Sequence, residues 1–118
     1  MEGTVLLRNA SPETIKKLRE KPGSQLRRIM ISGTKPNDVI AVETKNGCHY
    51  VLQIVDPIKQ TAIGALCKNG AHGIDFSRTG EVMISAALEA GSPFSFGPHL
   101  VPEIKRMKLL DREPLPAL

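Results

Sequence analysis

Between residues 36 and 90 the apolar positions come in short β-branched runs separated by turn-forming residues, which is a pattern of strands. DVIAVET (38–44) and CHYVLQIV (48–55) flank Lys45-Asn46-Gly47. Asn-Gly between two such runs signals a hairpin, because both central residues of a type I′ turn take positive φ. TAIGALC (61–67), HGIDFS (72–77) and EVMISAAL (81–88) continue the series, with Lys68-Asn69-Gly70 and Arg78-Thr79-Gly80 as turns. The expected fold is mainly β: a small antiparallel β-barrel or curled meander of five to seven strands, with one short N-terminal helix.

That helix is SPETIKKLRE (11–20). Ser11 can cap its free N–H groups, Pro12 suits the first helical position, Glu13 meets the positive end of the dipole, and Pro22-Gly23 ends it. TVLLR (4–8) reads as a strand. Ser24 either caps a second short turn, with Leu26 and Ile29 inward, or leads into a strand at 28–32. Residues 91–98 (GSPFSFGP) read as a loop or a short edge strand exposing Phe94 and Phe96. EIKRMKLL (103–110) fits a helix through Ile104, Met107 and Leu110, and fits a closing strand equally. The expected organisation is a basic strand/helix segment (1–35) packed on the same domain, a meander or barrel (36–110) and a flexible tail (111–118).

Turn lengths set an expected register. A two-residue Asn46-Gly47 turn pairs Ala41 with Leu52 and Val39 with Ile54, and equivalent turns place Ile63, Ala65, Ile74, Phe76, Val82 and Ile84 on one core face. The join between the second and third strands has two solutions. With a bulge, Cys48 faces Cys67 and Leu52 faces Ile63; with a five-residue loop and no bulge, His49 faces Cys67 and Gln53 faces Ile63. The bulge is preferred, because burying Gln53 unpaired would cost about 1–3 kcal/mol.

Composition narrows the function classes. The 118 residues are 41% hydrophobic but 3% aromatic, with three Phe, one Tyr and no Trp. The core must be aliphatic, and a platform of stacked aromatics for single-stranded nucleic acid is excluded. With no apolar run near the roughly 20 residues of a membrane span, no signal-peptide pattern at the start and two cysteines, the expectation is a reduced, cytoplasmic protein without membrane contact.

Charge is uneven. Residues 1–35 carry eight basic residues against three acids, although the whole chain is only +4. Lys105, Arg106 and Lys108 form a second, smaller cluster. The favoured expectation is a non-catalytic binding module that contacts RNA or another polyanion through Lys16, Lys17, Arg27 and Arg28. The Phe94/Phe96 loop is a second candidate surface, for a ligand or, with a sheet edge, for homo-oligomerisation. The alternative is a thiol-dependent enzyme using Cys67 as nucleophile and His72 as base. Cys48, Cys67 and His72 are also the candidate metal ligands, without CxxC spacing. No cofactor motif occurs.

Asp75-Phe76-Ser77-Arg78-Thr79-Gly80 resembles the D-x-S-x-x-G element of PilZ domains, six-stranded barrels that bind cyclic di-GMP. The resemblance covers six residues and implies guanine contacts from Asp75 and Ser77. That family also carries an R-x-x-x-R arginine pair; here Arg27 and Arg28 are adjacent and the spacing does not occur.

Overall fold

In a computed structural model the described residues are Lys17, 20–67 and 81–110, and they are mainly antiparallel β. The β-branched runs of the meander become β3 (Val39–Thr44), β4 (His49–Asp56) and β5 (Thr61–Cys67). Before them come β1 (Gly23–Leu26), β2 (Arg28–Met30) and a 3-10 turn at Ile31–Gly33. After them come β6 (Val82–Met83), β7 (Ala87–Glu89), β8 (Phe94–Phe96), β9 (His99–Val101) and β10 (Ile104–Leu110). The strands predicted at 4–8 and 72–77, the tail at 111–118 and, apart from Lys17 and Glu20, the helix at 11–20 lie outside the described residues.

Six strands make one antiparallel sheet in the order β1-β10-β3-β4-β5-β6. It is open, with β1 and β6 at its edges among the described residues, so the expected barrel does not close there. β10 lies between β1 and β3, so the ambiguous segment 103–110 is a strand that covers the outer edge of β3. Two small antiparallel ladders, β2 with β7 and β8 with β9, complete the fold.

The first hairpin corrects the expected register by one residue. Val39 pairs with Gln53, Ala41 with Val51 and Glu43 with His49. The turn has three residues: the Gly47 N–H donates to the Thr44 carbonyl at 3.0 Å and the Thr44 N–H to the Cys48 carbonyl at 2.9 Å. Gly47 takes φ 87° while Asn46 has no positive φ, so a type I′ turn does not form and the glycine closes the loop as a bulge.

That shift carries into the next pairing. His49 pairs with Cys67 and Gln53 with Ile63, and an additional bulge lies between Ile54 and Asp56. Gln53 is indeed buried, but its amide donates to Asn37 Oδ1 at 3.5 Å. The penalty that argued against this register is thereby avoided. EVMISAAL is not one strand either. β6 pairs with β5 through Thr61–Met83 and Ala62–Val82, and the chain then leaves the sheet to form β7 against β2.

Both faces of the large sheet are apolar. On one, Ile40, Val42, Tyr50, Leu52 and Ile54 pack with Ile29, Ile84, Leu88, Phe94, Phe96, Ile104 and Met107. On the other lie Val39, Val51, Ile63 and Leu110. Ile63 therefore belongs to a different cluster from Val82 and Ile84, contrary to the single core face expected. The local cause is the β4 run Tyr50–Val55, apolar except for Gln53 and buried on both faces from Tyr50 to Ile54, since a strand covered on both sides does not alternate.

Candidate polyanion-binding surface

Three stretches distant in sequence meet beside the start of β10. Arg27 sits at the bend between β1 and β2, and its carbonyl accepts the Ala90 N–H at 2.9 Å. Lys45 opens the β3–β4 turn, and its N–H donates to the Glu103 carbonyl at 2.9 Å. Lys105 and Arg106 follow Ile104, the first residue of β10. Arg27, Lys45, Lys105 and Arg106 line one open hollow of about 520 Å³ with Gln25 and Gly91. A smaller hollow of about 210 Å³ adjoins it across Gln25 and Arg106, and is lined also by Lys108, Glu43 and His49.

The neighbouring cations of β10 owe their placement to a bulge. Ile104 pairs with Thr44 and Arg106 with Glu43, which leaves Lys105 as an extra residue. In a regular strand successive side chains point to opposite faces. Here Lys105 Nζ lies 3.8 Å and Arg106 Nε 2.9 Å from the same Glu43 carboxylate. Glu103 similarly holds Lys45 at 2.9 Å. Both lysines and Arg106 are more than half exposed, so these ion pairs are wet and weak, on the order of 0.2–1 kcal/mol each. The hollows thus gather five cations and the Glu43 carboxylate, with Glu103 paired to Lys45.

Of the residues expected to bind a polyanion, Arg27 lies in this surface. Arg28 is exposed on β2, Lys17 is exposed, and Lys16 lies outside the described residues. Lys45, Glu43, Glu103 and Gln25 carried no signal as individual residues. The Lys105-Arg106 pair did: two adjacent polar residues between inward Ile104 and Met107 break the alternation and mark a bulge.

The Phe94/Phe96 candidate is corrected. Both rings are buried, at 2% and 0% exposure, because β8 and β9 form a hairpin whose phenylalanine side faces the main core. Gly97, at φ 60°, supplies the first central residue of its two-residue Gly97-Pro98 turn.

Cys48 is a free thiol buried in the main core, and the position opposite Cys67 is His49, which corrects the preferred Cys48–Cys67 pairing. Across the sheet, backbone register aligns Arg106, Glu43, His49 and Cys67 in one row. His72, Asp75 and Ser77 lie outside the described residues. Among the described residues no group of three or more His, Cys, Asp or Glu could hold a metal ion, and no helix is long and apolar enough to cross a membrane. Comparison with protein-family models, curated proteins and solved structures gives no match for this chain.

Proposed function

We propose that this chain is a non-catalytic β module that binds a polyanion, RNA foremost, through the surface formed by Arg27, Lys45, Lys105, Arg106 and Lys108. The convergence of these cations from three stretches distant in sequence carries the reading. Arginine and lysine placed together on an exposed surface recognise phosphate through charge-assisted hydrogen bonds, and the exposed position keeps the cost of desolvation low. Binding of this kind releases counterions and weakens steeply with salt. The test is fluorescence anisotropy of labelled RNA against salt, for the natural chain and for a Arg27→Ala/Lys105→Ala/Arg106→Ala variant. The expected result is a linear fall of log K with log salt and a shallower slope in the variant. Binding that is absent, or indifferent to salt, overturns the proposal.

The row Glu43, His49, Cys67 supports a second reading, a thiol enzyme with His49 in the role expected of His72. A nucleophile, a base and an orienting carboxylate in cross-strand succession is the order a Cys–His pair needs. In that case Cys67 alkylates rapidly near neutral pH, and His49→Ala slows the reaction. Labelling of Cys67 only at the rate of unfolding removes this reading.

A further inference from the structure

We infer, on the basis of the polyanion reading, that the ligand is duplex nucleic acid held by its phosphate backbone, without readout of the bases. Sequence-tolerant binding of single strands depends on aromatic side chains on which successive bases stack. Tyr50, Phe94 and Phe96 are 0%, 2% and 0% exposed, and each belongs to the main core. Only Phe76 lies outside the described residues, and one ring cannot stack a run of bases. The surface instead offers Arg27, Lys45, Lys105, Arg106 and Lys108, which are donors suited to phosphate oxygens.

A surface that works by charge alone favours the ligand with the greater charge density. Duplex DNA carries one charge per about 1.7 Å of axis, against about 3.4 Å along one of its strands. Lys45, Lys105 and Arg106 pair with Glu103 or Glu43, and the Lys108 ammonium donates to the Lys21 carbonyl. The two carboxylates offset two of the five positive charges, so between about three and about five phosphates are neutralised, depending on whether those carboxylates yield. Raising salt from about 50 to about 200 mM then lowers duplex affinity roughly 40- to 500-fold.

The experiment titrates the full chain with short labelled probes of equal length: duplex RNA and duplex DNA in two unrelated sequences each, single-stranded poly(U) and poly(A), and inorganic polyphosphate. The expected result is tighter binding of a duplex than of either homopolymer, little change between sequences, and loss of duplex binding in Lys105→Ala/Arg106→Ala. The RNA and DNA arms identify which duplex is preferred. A urea midpoint for the variant separates lost binding from lost folding, and Lys105→Arg/Arg106→Lys, which keeps the charge, retains the duplex preference. Single strands bound more tightly than duplexes, a strong dependence on base identity, or binding of polyphosphate alone overturns the inference while leaving polyanion binding standing. No salt-dependent binding to any probe overturns the reading on which it rests.

Discussion

With one carboxylate oxygen on Arg106 and the other toward Lys105, Glu43 occupies the two cations that an incoming phosphate would use. A bound polyanion must either displace this carboxylate or tolerate it as a neighbouring like charge. Glu43→Gln is therefore expected to tighten RNA binding about fivefold, the ratio that ~1 kcal/mol represents, and to steepen the salt dependence. Anisotropy titrations at two salt concentrations check this, and weaker binding by the variant contradicts the assigned surface. At the same scale a single dihedral explains why the hairpin's place was legible and its register was not. Asn46-Gly47 marks the turn, but a type I′ loop needs both residues at positive φ, and only Gly47 has it. The Thr44 hydroxyl bonds the Asn46 side chain and also meets the Cys48 N–H at 3.3 Å, which satisfies a wholly buried threonine within the three-residue loop. One added loop residue turns every subsequent side chain of the strand to the other face.

At the level of elements, β10 carries both the fold's longest-range pairing and three of the site's five cations. Gly23 pairs with Leu110 on one side of it and Ile40 with Leu109 on the other. Its apolar spacing, with Ile104 and Met107 three apart and both in the main core, imitates a helix face. The bulge produces that spacing by adding Lys105 between two segments of regular ladder. Deletion of Lys105 would bring those segments into step, with Ile104 still opposite Thr44 and Arg106 still opposite Glu43. The expected outcome is a urea midpoint close to that of the natural chain and weaker polyanion binding, because a cation is lost without loss of pairing. Large destabilisation would mean that the bulge is needed to seat the strand.

Over the whole molecule, the aromatic scarcity that excluded a stacking platform also describes the interior: the described rings are core residues in an otherwise aliphatic packing. Phe96→Ala is accordingly expected to cost about 3–5 kcal/mol, against the roughly 5–15 kcal/mol stability of an ordinary domain. Denaturation by urea measures it; a variant with unchanged stability and impaired ligand binding would return Phe96 to the role of a surface contact. The amino-acid sequence by itself determined the β class, the positions of β3, β4 and β5, the turn at residues 45–47 and the aliphatic core. These depend on side-chain shape, short-range alternation and the presence of glycine, all of which are local. Only the tertiary structure decided the register, the open sheet, the burial of Phe94 and Phe96, and the meeting of Arg27, Lys45, Lys105 and Arg106. Those depend on one turn dihedral, on two bulges and on β10 returning between β1 and β3, so no short stretch of the chain contains the information.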